Sequence, residues 1–142
     1  MANPGPASAT TIHPQPLGSN QAIRLLASVT GVSLAATGDA VTFNVINSTT
    51  YNVTNVVITN ANKDVSAGYL SIWTGPAGTG TEIVTNAALT SNTSSAYVTK
   101  STVVAATGTA NLSAQTFYVK VGTAVAGGTV DIYIYGTDFS TF

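Results

Sequence analysis

Proton transfer near neutral pH needs a side chain that can hold and release a proton there, and His13 is the single histidine of the chain. It lies between Ile12 and Pro14, in a stretch that holds Pro4, Pro6, Pro14 and Pro16. No rigid shell is expected to orient it as the base of a hydrolytic triad. Paired carboxylates can do acid–base work without histidine, and the acids are Asp39, Asp64, Glu82, Asp131 and Asp138. All but Asp131 adjoin predicted turns. Asp131 falls in a strand whose Val130, Ile132 and Ile134 share one face, which places it with Tyr133 and Tyr135 on the other. Turn capping or a solvated sheet face is the expected use of each acid.

Metal and phosphate chemistry fare no better. Calcium takes roughly six to eight oxygens, usually with several carboxylates close together, and here the carbonyls of 60–64 could at most supplement one carboxylate. Without cysteine there is no thiolate nucleophile, disulfide or zinc-thiolate site. The run Gly75-Pro-Ala-Gly-Thr-Gly80 resembles a phosphate-binding loop only superficially, because no Lys-Ser/Thr pair follows; it reads as a hairpin turn. The N-x-S/T triplets at Asn47, Asn52, Asn92 and Asn111 are expected by chance in a chain rich in those residues. No catalytic, cofactor-binding or metal-binding residue is therefore expected, no cofactor, and no enzymatic activity. Aromatic residues give the one hint of a binding surface: Trp73, Tyr69, Tyr133 and Tyr135 could stack on sugars or anchor an interface. For Trp73 a core position is the first expectation, an interface the second and a glycan contact the third.

The elements that would position these residues are strands. From Gln21 onward apolar residues recur with a period near two, supplied by Val, Ile, Thr and Tyr. Strands are predicted over 22–29 (in preference to a short turn of helix), 40–46, 51–59, 69–73, 82–85, 97–103, 114–121 and 129–135. The strand over 51–59 is apolar on parts of both faces and reads as a central one. The fold class follows: all-β, an antiparallel β-sandwich of about eight strands, jelly-roll or immunoglobulin-like. Its expected core includes Val41, Phe43, Val45, Leu70, Ile72, Phe117, Val119, Val121, Ile132 and Ile134. Residues 21–142 form this domain, and residues 1–20 an extended Pro-rich arm that lacks the apolar surface to order itself.

Composition restricts the partners. Only 6% of the 142 residues are charged, for a formal net charge of −1, against roughly a quarter in an ordinary soluble domain. Polarity comes instead from 24 Thr, 13 Ser and 11 Asn, which solvate a surface weakly and favour association. No basic field exists for nucleic acid, and neither a membrane-surface role nor a membrane-spanning segment is expected. The first residues carry no basic and apolar leader pattern, so synthesis in the cytoplasm without a signal peptide is expected.

Two stretches carry a resemblance. Leu112-Ser-Ala-Gln-Thr-Phe-Tyr-Val-Lys-Val-Gly-Thr-Ala with Thr129-Val-Asp-Ile-Tyr-Ile-Tyr-Gly-Thr-Asp138, and Tyr51-Asn-Val-Thr-Asn-Val-Val-Ile-Thr-Asn-Ala61, are similar to small structural proteins of tailed bacteriophages. The pattern covers about 51–138 and is one of Thr/Ala/Val-rich strands, with no functional motif to transfer. It implies a capsid decoration (cement) protein that binds and stabilises the phage head. The major capsid protein or other virion subunits would be its partners, a homo-oligomer within the assembly its state, and the virion its location. The alternative is a carbohydrate- or receptor-binding β-sandwich of a tail or spike, with Trp73 and nearby tyrosines as its platform.

Overall fold

The computed structural model describes residues 23–140; the expected arm over 1–20, with His13, lies outside the described residues. Eight strands follow one another: β1 (Ile23–Ser33), β2 (Gly38–Asn44), β3 (Tyr51–Thr59), β4 (Tyr69–Gly75), β5 (Thr79–Ala88), β6 (Thr99–Thr102), β7 (Thr116–Thr123) and β8 (Thr129–Asp138). A 3-10 turn at Pro76–Gly78 joins β4 to β5, and a single helical turn, α1 (Ala105–Gly108), follows β6.

Pairing is antiparallel and nested: β1 with β8, β2 with β7, β3 with β6, β4 with β5. Two further pairings, β3 with β8 and β4 with β7, complete two four-stranded sheets of order β1-β8-β3-β6 and β2-β7-β4-β5. Such nesting arises when one long antiparallel ribbon is rolled up on itself, and it is the connectivity of a jelly roll. An immunoglobulin arrangement distributes its strands differently.

Between the sheets lie Leu26, Tyr51, Val53, Val56, Ile58, Leu70, Ile72, Ile83, Phe117, Val119, Val121, Val130, Ile132 and Ile134, all buried. Each such side chain contributes about 1.5–3 kcal/mol when fully removed from water. Phe43 and Tyr51 pack against Phe117 at centroid distances of 5.7 and 5.9 Å. The Tyr51 hydroxyl donates to the Ala114 carbonyl at 2.5 Å, and burial pushes its pKa up. Val41 and Val45, expected in the core, are only half-buried, because β2 is an edge strand and Val45 lies just past its end.

The two-faced apolarity of β3 has a different cause from the one expected. The strand is central, but a register shift between Val53 and Asn55 inserts Thr54 as an extra residue opposite β8. The buried set therefore changes parity, from Tyr51 and Val53 to Val56 and Ile58, while all four point inward. On the other side of β8 a second shift, between Leu25 and Ala27, inserts Leu26 into β1. Leu26 falls between the partners of Tyr135 and Ile134, with its side chain reaching Gly136, and Thr54 falls between the partners of Tyr135 and Gly136.

Gly136 occupies the inward position there because nothing larger fits. A Cβ at this residue would lie 1.9 Å from the Asn52 carbonyl oxygen and 2.6 Å from Leu26 Cδ1. Gly136→Ala should therefore destabilise the domain by about 3 kcal/mol, lowering the thermal midpoint by about 10 °C. Gly108→Ala, whose Cβ meets nothing within 4 Å, should change it by less than about 2 °C. Equal midpoints for the two variants in a thermal melt would contradict this account of β8.

Candidate functional site

The five carboxylates are dispersed, and four of them hold backbone or loops in place. Asp39 Oδ2 accepts the Ala77 N–H at 2.8 Å. Asp64 accepts the Ser66 N–H at 2.9 Å, and hydrogen bonds from the Ser66 hydroxyl and N–H hold its pKa below the ordinary value. Asp131 accepts from the Gly31 N–H and from Asn60 Nδ2, both at 2.8 Å, tying the β1 bulge at Gly31 (φ +65) to the loop after β3. Asn62 and Lys63 of that loop donate to Gly127 and Ala126 carbonyls, so its polar groups join the β7–β8 loop. Glu82, half-buried on β5, has no partner for its carboxylate among the described residues.

Asp138 is the largest departure from the sequence expectation. It was expected beside a turn, yet it is fully buried as the last inward residue of β8. Its Oδ2 receives Arg24 Nη1 at 2.9 Å, and its Oδ1 receives the Ser48 hydroxyl at 2.7 Å and the Ser140 N–H at 2.9 Å. Arg24 Nη2 also donates to the Ile46 carbonyl at 2.8 Å, and Ser140 Oγ accepts the Thr49 N–H at 2.6 Å. This knot ties the start of β1, the β2–β3 connection and the end of β8 together. A signal for it existed in the sequence. Carrying the two-residue period past Tyr135 puts Asp138 on the inward face, where a carboxylate requires a partner, and Arg24 is the chain's one arginine.

Of the N-x-S/T asparagines, Asn92 is fully buried, its amide donating to the Ile58 and Tyr97 carbonyls and accepting from the Thr99 hydroxyl. Asn52 donates to carbonyls of 108 and 110. The run over 75–80 is the β4–β5 turn, as expected.

The two outward sheet faces differ in chemistry. On the β1-β8-β3-β6 sheet, cross-strand rows read Leu25–Tyr135–Asn55–Thr102 and Ser28–Tyr133–Val57–Lys100. Leu25, Tyr133, Tyr135, Asn55 and Val57 are half-buried, and neither tyrosine hydroxyl has a partner among the described residues. Lys100, on the edge strand, is the one charged residue in these rows. Beside this face, around the Arg24–Asp138 knot, Ile23, Ile46 and Phe139 are exposed. The first 22 residues of the chain join the domain at Ile23.

The other sheet carries the row Thr42–Tyr118–Trp73–Glu82 across its four strands, and beside it Asp39–Lys120–Ser71. Trp73 was expected in the core first. Leu70 and Ile72 take the inward positions of β4, so Trp73, one residue on, lies half-buried on the outward face. No family model, curated protein or solved structure matches this chain.

The knot has a pH dependence. Burial alone would push the Asp138 carboxyl up, but the Ser48 hydroxyl, the Ser140 N–H and hydroxyl and the Arg24 guanidinium together outweigh it, holding the group below the usual carboxylate range. A carboxylate held lower in the folded than in the unfolded chain contributes stability that is complete above the unfolded value, about 3.9. That contribution is lost as pH falls through the folded value. Asp138→Asn should cost about 2–4 kcal/mol at pH 7 and reduce the loss of stability between about pH 5 and 2. Thermal melts of both proteins across that range check this. Parallel curves would show that Asp138 is not the group that titrates.

Proposed function

We propose that this protein is a non-enzymatic virion structural protein of the head-decoration kind, which packs on the major capsid protein and on neighbouring copies of itself. The observation that carries the reading is the outward face of the β1-β8-β3-β6 sheet. Leu25, Tyr133, Tyr135 and Val57 lie side by side on it, with charge only at its margin, and it continues into exposed Ile23, Ile46 and Phe139. Apolar groups and amphipathic tyrosines depleted of charge are what the buried centre of a protein interface requires.

The position of the N-terminal segment supports the same reading. Twenty-two residues, four of them proline, precede Ile23 at the edge of that surface. A segment of this length spans up to about 70 Å when extended, enough to cross a neighbouring subunit. Its prolines reduce the entropy lost when such a strap is ordered. The nested sandwich supplies the rigid body, and the low charge of the chain favours dense packing on a shell.

Two variants separate folding from assembly. Deleting residues 1–20 should leave the thermal midpoint within about 4 °C of the full chain while lowering occupancy on purified particles. Tyr135→Asp should leave the fold intact and also lower occupancy, since it places an unpaired charge in the docking face. Copy number per particle, measured by quantitative gel or mass spectrometry, reads both. Undiminished occupancy in both variants would overturn the proposal.

A further inference from the structure

From the opposite face of the sandwich we infer a glycan-binding site, centred on Trp73 and Tyr118, that takes a neutral oligosaccharide. Thr42, Tyr118, Trp73 and Glu82 are direct cross-strand neighbours on β2, β7, β4 and β5, forming one row across the whole sheet. With strands about 4.8 Å apart, the row is about 14 Å long, the reach of two or three linked pyranoses. Two aromatic residues, Trp73 and Tyr118, are cross-strand neighbours at its centre, and an aromatic ring offers the flat apolar surface on which the C–H face of a sugar ring stacks.

Polar groups flank that surface. The hydroxyls of Thr42 and Tyr118 and the carboxylate of Glu82 have no hydrogen-bond partners among the described residues, and all are of the type that pairs with sugar hydroxyls. The indole, by contrast, is fixed: Trp73 Nε1 donates to Ser71 Oγ at 2.9 Å. The Pro76–Gly78 turn forms a wall beside it. Asp39 accepts the Ala77 N–H, Lys120 Nζ donates to the Ala77 carbonyl at 3.5 Å, and a Cβ on Gly78 would lie 3.7 Å from Trp73 Cε2. A platform whose indole is held in place beside a wall loses little freedom on binding.

Charge selects the ligand. Asp39 and Lys120 offset one another across the turn, leaving the Glu82 carboxylate as the uncompensated charge at the end of the row. An acidic sugar meets repulsion there, and a neutral one meets an acceptor. This site uses none of the residues of the proposed docking face, so either reading can fail alone.

The chain has one tryptophan, so intrinsic tryptophan fluorescence reports on this site directly. The full-length protein is titrated with neutral hexasaccharides built on glucose, mannose, galactose or N-acetylglucosamine, and with a hexauronate. At least one neutral oligosaccharide should give a saturable change with a Kd of about 0.1–1 mM, and the hexauronate none. Tyr118→Ala should weaken that binding at least about tenfold. Glu82→Gln, which keeps shape and removes charge, should admit the hexauronate. Tyr97→Ala, in a loop away from the row, should change nothing. No saturable response to any neutral hexasaccharide at about 10 mM, or a response untouched by Tyr118→Ala and Glu82→Gln, overturns the inference. So does a sugar-free change in sedimentation on Tyr118→Ala, which would make this face a protein interface instead.

Discussion

Strand β8 is paired on both sides by strands that carry more residues than it can match, one more in β3 and two more in β1, and the structure depends on how that excess is absorbed. Leu26 in β1 and Thr54 in β3 are the extra residues on either side of Tyr135, and a second bulge of β1, at 30–31, lies opposite Asp131. Because the side-chain period of a strand is two, each insertion would turn half of its strand inside out if β8 did not accommodate the bulge. Gly136 makes the accommodation: the space its side chain would need is filled by Leu26 and the Asn52 carbonyl. Inward residues therefore stay inward on both sides of the bulges. Outside, Leu25, Tyr135, Asn55, Tyr133 and Val57 are aligned into continuous rows.

The same strand ends in the Arg24–Asp138 knot, so one element sets both the packing of the first sheet and the tie between the start of β1, the β2–β3 connection and the end of β8. Nested pairing brings the first and last strands together, and the knot fixes their ends to the β2–β3 connection. The consequence for function is spatial. β1 begins at Ile23, at the margin of the face whose charges, Lys100 and Asp131, lie only at its borders, while Asp39, Glu82 and Lys120 stand on the outward face of the other sheet. The two sheets thus present outward faces of different chemistry on opposite sides of the sandwich.

The period-two alternation made the class and nearly every strand legible, because β2, β7 and β8 alternate cleanly over most of their length. Turn residues at 75–80 and the glycine-bearing loop at 122–128 marked hairpin and connection. Parity was not legible where bulges intervene: nothing in Tyr51-Asn-Val-Thr-Asn-Val says that Thr54 will be the unpaired residue, since that depends on register with β8. For Trp73 the inward parity of Leu70 and Ile72 in β4 points to the outward face, where the structure has it, rather than to the core that is its first expectation. Asp138 lies beyond the strand predicted over 129–135, whereas β8 and its alternation run on through Gly136 to Asp138. The two outward faces were legible only as scattered tyrosines until pairing placed them in rows.

The proposed head-decoration role requires that the face of Leu25, Tyr133, Tyr135 and Val57 be covered on a particle. The chain contains no cysteine, so single cysteines report on single sites. Val57→Cys on that face and Thr42→Cys on the opposite one would each be reacted with a maleimide, in the free protein and after incorporation into particles. The account predicts that both react freely in solution and that incorporation protects Val57→Cys while Thr42→Cys stays reactive. Protection of Thr42→Cys with Val57→Cys left reactive, or no protection of either, would contradict it.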